Sequence, residues 1–141
     1  MKMAFIIDTG FLYAALDKKD KNHKNVIKLL PILPKSDLIL PTLVLVEITY
    51  LLQKRLGHKK MRQFISTLDN SPIKFENITQ DDIHRIYELL NQYSNIKLDF
   101  VDASITAIAE RLNIKQILTV DKRDFNIICP IHCKHFEILP Q

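Results

Sequence analysis

Two aspartates, Asp99 and Asp102, stand three residues apart where a helix is predicted over Asp102–Leu112. Residues with this spacing share a helix face, so the two carboxylates are expected to point the same way. A third acid, Asp121, directly follows the apolar segment 117–120. Carboxylates that gather in one place bind hard divalent cations, and such cations promote phosphodiester cleavage. These acids therefore either cap helices or gather with others into a metal site.

Two more acids occur in apolar surroundings. Asp8 ends the apolar run 3–7, which is typical of a strand buried on both faces of a parallel sheet. Glu47 lies in the apolar first half of a helix predicted over Thr42–Leu56, with Pro41 in its first turn and Gly57 as its stop. A carboxylate is costly to bury there without a partner. Glu47 thus joins the candidate site.

Each acid also has a purely structural interpretation, which the sequence leaves open. Asp8 could cap the helix that follows it. Asp99 and Asp102 could be the N-cap and N3 residues of their own helix. Asp121 could initiate a turn. For Glu47 a solvated position is hardest to find.

Strands and helices alternate along the chain. The predicted strands are 3–7, 38–40, 73–76, 117–120 and 135–139. This alternation predicts an α/β fold with a mostly parallel sheet of about five strands, in a single domain over residues 1–141. In such sheets ligands bind beyond the carboxyl ends of the strands. Asp8 and Asp121 both follow strand ends, which is a structural reason to expect the acids to meet.

Composition narrows the class of protein. The 47% hydrophobic and 26% charged residues are ordinary for a globular domain, and only 2 glycines argue against a glycine-rich phosphate-binding loop. The charged N-terminus is too short for a signal peptide, and no apolar run nears the roughly 20 residues of a membrane span. We expect a cytoplasmic protein. Its net charge of +4 is compatible with nucleic-acid binding without establishing it.

Four segments together resemble a known family. They are Asp8–Leu16, the helix around Glu47, Leu98–Ile105 and Thr119–Phe125. In this order and spacing they are similar to PIN-domain proteins, and within that family to the VapC-type toxins of prokaryotic toxin–antitoxin pairs. The resemblance extends from about Ala4 to Pro140. It implies a three-layer α/β/α fold and a Mg²⁺- or Mn²⁺-dependent endoribonuclease.

The resemblance also implies roles for individual residues. By motif match the acidic metal ligands, and hence the catalytic residues, fall on Asp8, Glu47, Asp102 and Asp121. Thr9 and Thr119 match hydroxyl positions beside the acids, and Asp99 and Asp124 match supporting positions. Many members carry Asn or Ser where this chain has Gly10, so a side-chain contact from that position is lacking. Toxins of this type commonly form homodimers, cleave RNA and are covered by a small antitoxin.

Two other classes of protein were weighed. A PIN-like module could bind RNA or a partner protein without cutting, although a module of that kind has no need for four mutually repelling acids. A phosphoacceptor receiver domain would need an acceptor Asp after the third strand, and the sequence Phe75-Glu76-Asn77 there is a poor match.

Two clusters near these segments carry weaker signals. Zinc ligands could come from Cys129, His132, Cys133 and His135, but their spacing matches no standard finger. Phosphate backbone could bind the basic cluster Lys54, Arg55, Lys59, Lys60 and Arg62. A solvated helix face explains that second cluster equally well.

Overall fold

Five parallel strands form the centre of the fold. The computed structural model describes residues 3–141, and its strands follow the spatial order β3-β2-β1-β4-β5. They are β1 (Phe5–Ile7), β2 (Leu38–Pro41), β3 (Lys74–Glu76), β4 (Gln116–Leu118) and β5 (Glu137–Leu139). Every neighbouring pair is parallel, which confirms the predicted sheet. The predicted domain range also includes Met1 and Lys2, which lie outside the described residues.

Seven α-helices connect and cover the strands. They are α1 (Thr9–Leu16), α2 (His23–Leu29), α3 (Thr42–Leu56), α4 (His58–Leu68), α5 (Gln80–Gln92), α6 (Phe100–Leu112) and α7 (Lys122–Ile127). The bounds of α3 are those predicted, because extended Pro41 precedes the helix and Gly57 ends it with φ of 98°. None of these helices has the length and apolar composition needed to cross a bilayer.

The order of the strands creates two helical layers. The chain moves outward from β1 to β3 and then returns to place β4 on the other side of β1. Because parallel crossovers are right-handed, this reversal puts the helices before and after β3 on opposite faces of the sheet. Helix α1 packs against α3, α3 against α4, and α5 against α6. The result is the predicted α/β/α architecture, with its topological switch point between β1 and β4.

The switch point is the best-buried part of the molecule. All three residues of β1 are buried, and so is α6 from Asp102 through Ala109. Ile7 pairs in register with Leu118, so the residues that follow the two strands are neighbours at one edge of the sheet. In parallel sheets this edge is where ligands bind.

An arginine links the far end of α6 to the start of α5. Arg111 donates hydrogen bonds to the carboxylates of Asp82 and Glu76 and to the carbonyl of Asn77. Asp82 also forms a capping box with Thr79 at the start of α5. Burial alone would raise the pKa of Asp82, but the bonds from Arg111 and Thr79 outweigh it and hold that pKa below its ordinary value. This network fixes the helical layer that carries Asp102.

Candidate active site

Asp8 and Thr119 meet where β1 and β4 end. The amide of Asp8 donates to the carbonyl of Leu118 at 2.9 Å, which continues the sheet by one residue. The Thr119 hydroxyl then donates to Asp8 Oδ2 at 2.8 Å, and the Thr9 amide donates to Asp8 Oδ1 at 2.8 Å. Asp8 therefore caps α1, as the structural interpretation required, while its other oxygen faces the neighbouring strand end.

Asp8 is only 7% exposed, and its surroundings favour its protonated form. Burial raises its pKa to about 6, against the lowering effect of the hydrogen bonds from Thr119 and Thr9. The negative charges of Glu47 and Asp99 raise it further, so both acids lie within electrostatic range of Asp8. A bound cation would reverse this preference.

Asp102 is the most strongly perturbed acid of the site. It lies in the first turn of α6, is 8% exposed, and its carboxylate accepts no hydrogen bond from residues 3–141. Its pKa is raised to about 9, first by burial and in addition by the negative charges of Asp8, Asp99, Asp124 and Asp121. Asp102 therefore lies among acids from three different elements, which the fold has brought together from distant parts of the chain.

Asp99 does not share a helix face with Asp102, so of the two interpretations that the sequence left open the shared face is not the one observed. The helix begins at Phe100, two residues before the predicted start, so Asp99 lies outside it as the N-cap. Its Oδ1 accepts from the Asp102 amide at 2.8 Å. The alternative left open by the sequence is the one observed: Asp99 is the N-cap and Asp102 is N3. Asp99 fixes the turn that presents Asp102.

Glu47 is half-buried, which corrects the expectation that its helix leaves no solvated position. On α3, Val44 and Ile48 are fully buried, but Val46 is 70% exposed and Tyr50 is 61% exposed. Helix α3 thus has a buried face and a solvent-exposed face. Its sequence is apolar throughout because the exposed face also carries apolar side chains. Within the described chain Glu47 forms no ion pair, and its negative charge raises the pKa of Asp8.

Asp121 and Asp124 enter the site from α7, a helix the sequence did not reveal. Asp121 occupies the N-cap position, but its side chain makes no capping bond. Its amide donates to the Thr119 hydroxyl at 3.2 Å. Asp124 is half-buried in the first turn, with Oδ1 3.8 Å from Arg123 Nε. A helix of six residues without a side-chain cap has little signature in sequence.

The two residues that follow Asp8, Thr9 and Gly10, are closely surrounded by the protein. The Thr9 hydroxyl is buried and finds no partner in the part of the chain that the structure describes. Gly10 lies so close to Val120 that an added Cβ would stand 3.0 Å from its Cγ2. A side chain at this position would therefore require Val120 to shift by a few tenths of an ångström. Neither Val120 nor this constraint was identified from the sequence.

The donor set suits a hard divalent cation. Asp8, Glu47, Asp102 and Asp121 offer only oxygen ligands, and no lysine or arginine of residues 3–141 pairs with them. Among residues 3–141 no group of three or more His, Cys, Asp or Glu side chains is arranged so that it could hold a metal ion. The acids instead lie within electrostatic range of one another around the ends of β1 and β4, the edge at which parallel sheets form their ligand-binding crevice. Mg²⁺ is commonly bound in this way, through one or two carboxylates, several waters and substrate phosphates.

The cysteine and histidine cluster has other contacts. His132 Nε2 lies 2.6 Å from the carbonyl of Ile114, and His135 Nδ1 lies 3.4 Å from that of Phe136. Cys129 and Cys133 are free thiols. These side chains anchor the segment before β5, and nothing among the described residues joins them to the acidic crevice.

The chain belongs to the PIN domain family, whose model matches residues 5–129. Ribonuclease VapC26 of Mycobacterium tuberculosis is 25% identical over 135 residues, which are 96% of this chain and 99% of that protein.

Solved structures share the fold. VapC20 of Mycobacterium tuberculosis, a sarcin–ricin loop cleaving toxin, superimposes with a TM-score of 0.80 at 22% identity over 93% of this chain and 99% of its own. VapBC2 of Rickettsia felis, bound to a fragment of promoter DNA, gives 0.70 at 16% identity over 96% and 98%. The predicted family and fold are thus confirmed.

Proposed function

We propose that this protein is a Mg²⁺- or Mn²⁺-dependent endoribonuclease and the toxin of a toxin–antitoxin pair. The observation that carries the proposal is Asp102, a buried carboxylate that accepts no hydrogen bond among residues 3–141 and is surrounded by other acids. Placing such a group without a counter-ion costs stability, so its presence favours a functional explanation. The similarity to ribonuclease VapC26 supports RNA as the substrate.

In this proposal Asp8, Glu47, Asp102 and Asp121 hold the cation. When bound, the cation would activate water and stabilise the negative charge of the phosphodiester during cleavage. Thr119 orients Asp8 through its hydroxyl, and Asp99 orients the turn that carries Asp102. Asp124 adds negative charge behind Asp102. Thr9 supplies a buried hydroxyl beside Asp8 that is available to an additional oxygen.

The proposed partners follow from the relatives. A toxin–antitoxin complex from Klebsiella pneumoniae has the same fold, with a TM-score of 0.64 at 22% identity. We propose that an antitoxin covers the acidic crevice of this protein and that the chain forms a homodimer in the cytoplasm. Co-expression with the product of the adjacent reading frame, followed by mass measurement of the complex, tests both assemblies.

Cleavage of RNA tests the activity. Purified protein with Mn²⁺ should cut a single-stranded RNA, and the activity should vanish with EDTA and in Asp102→Asn. Since Asn keeps the shape of Asp but cannot supply a negative ligand, the variant separates charge from folding. Strong cleavage that survives both treatments would contradict the proposal. A protein that binds RNA but never cuts it would instead be the non-catalytic module.

A further inference from the structure

A basic hollow lies at the far end of the two helices that carry Asp8 and Glu47. It has a volume of about 550 Å³ and is lined by the end of α1, the end of α3 and the first turns of α4. Four cationic side chains surround it: Lys18, Lys19, Arg55 and Lys60. Only the last two belong to the basic cluster noted in the sequence, because the chain folds the residues after α1 onto the same surface.

The positive charge of this hollow is only partly offset within the protein, because Asp17 in its lining balances one of the four cations. None of its four cations forms an ion pair within residues 3–141. The one acid in the lining, Asp17, is already engaged: its Oδ2 accepts from the Tyr13 hydroxyl at 2.8 Å and its Oδ1 accepts from the Lys19 amide at 3.0 Å. The hollow therefore presents cations to a ligand rather than to the protein itself.

One of the cations is held in place. The Arg55 guanidinium lies over the ring of Tyr13, with its carbon 5.1 Å from the ring centre. Tyr13 is buried and is fixed by Asp17, so Arg55 is restrained before any ligand arrives. A planar, restrained guanidinium is the side chain best suited to phosphate oxygens.

Helix geometry gives the distance from the hollow to the acids. Eight positions separate Glu47 from Arg55 on α3, and eight separate Asp8 from Leu16 on α1. At 1.5 Å per residue each separation is about 12 Å. A stacked nucleic-acid strand advances about 3.4 Å per nucleotide, so this is a reach of roughly three or four nucleotides.

We infer that the hollow formed by Lys18, Lys19, Arg55 and Lys60 binds the phosphate backbone of the RNA strand a few nucleotides away from the bond that is cut. This inference rests on the proposed function, because it assigns the substrate of the same site. Such contacts position a strand without reading its sequence. They also bring an anionic polymer to a crevice whose own acids repel it.

Binding of RNA at several salt concentrations tests the inference. A fluorescent 12-nucleotide single-stranded RNA is titrated with protein in EDTA, so that no cleavage occurs. The variant K18Q/K19Q/R55Q/K60Q should bind at least about a hundredfold more weakly at 0.1 M salt. Its slope of log K against log salt should be smaller by about 0.7 for each lost contact, or close to 3 in all. In K18Q/K19Q/K60Q, which keeps Arg55, the slope should be smaller than that of the wild type by about 2.

The matched control removes the same charge elsewhere. K28Q/K35Q/K74Q/K134Q changes four exposed lysines outside the hollow and should leave the slope within about one contact of the wild type. Equal slopes for wild type and the hollow variant, or equal losses in hollow and control variants, would overturn the inference. Failure of the proposed function looks different, because it is an absence of cleavage with Mn²⁺ whatever the slope in EDTA.

Discussion

The Thr119 hydroxyl donates a hydrogen bond to Asp8 Oδ2 at 2.8 Å, joining the ends of two strands that are 111 residues apart in sequence. This bond lowers the pKa of Asp8 against the effect of burial. It thereby helps to keep the Asp8 carboxylate charged and directs one of its oxygens. Four expectations follow from this bond and its neighbours.

Removal of the Thr119 hydroxyl should weaken the site. Thr119→Val keeps the shape of the side chain but leaves Asp8 Oδ2 without its donor. We expect the pKa of Asp8 in the metal-free protein to rise above about 6, and RNA cleavage at pH 7 to fall about tenfold. The pKa can be followed by carboxyl carbon NMR. Thr119→Ser should restore most of the activity, and a Val variant with unchanged pKa and cleavage would rule out this role.

Neutralising Asp102 should stabilise the metal-free protein. Asp102→Asn removes a carboxyl group that folding must keep protonated at pH 8 although it is ionised in the unfolded chain, so we expect the free energy of unfolding at pH 8 to rise by about 1–2 kcal/mol. Urea denaturation in EDTA measures it. Ala107→Gly, a change in the same helix away from the acids, should destabilise. A loss of stability in Asp102→Asn would contradict the assigned electrostatics.

The stability of the metal-free protein should fall as the pH rises. Folding raises the pKa of Asp8 to about 6 and that of Asp102 to about 9, so the folded state binds more protons than the unfolded state above pH 3.8. Their contribution is complete below pH 3.8 and is lost as the pH rises through about 6 and then about 9. Thermal melts in EDTA should show a Tm lower at pH 9 than at pH 6. The slope should be smaller in Asp102→Asn, and a Tm that rises over this range would be inconsistent with the charged crevice.

The Arg111 network should contribute to stability and not to chemistry. Arg111→Met leaves the buried Asp82 carboxylate without its main cation, which should cost about 2 kcal/mol of unfolding free energy. Because the pKa of Asp82 is lowered, its contribution is present above pH 3.8 and is lost as the pH falls through its folded value. The deficit of Arg111→Met should therefore shrink in acid. Exposed Arg123→Met is the control. RNA cleavage per folded molecule of Arg111→Met should match that of the wild type.

The sequence predicted the order of elements because its signals were local. Gly57 ends α3 through its own positive φ, and Thr79 with Asp82 begins α5 through hydrogen bonds between residues three apart in the chain. The packing of Gly10 against Val120 is different, since it depends on two strands meeting across the whole fold. The sequence did not decide whether Asp99 lies inside α6 or caps it. Both arrangements place Asp99 three residues before Asp102. The ligand roles of Asp8, Glu47, Asp102 and Asp121 stay predictions.

Titration calorimetry with Mn²⁺ tests most directly the claim that these four acids form a divalent-cation site. Wild-type protein at pH 7.5 should bind Mn²⁺ at millimolar concentration or below and release protons as it does so, because Asp102 has its pKa near 9 in the metal-free state. Asp102→Asn, correctly folded, should bind at least tenfold more weakly. An absence of heat and proton release from the wild type up to 10 mM Mn²⁺ would contradict the account.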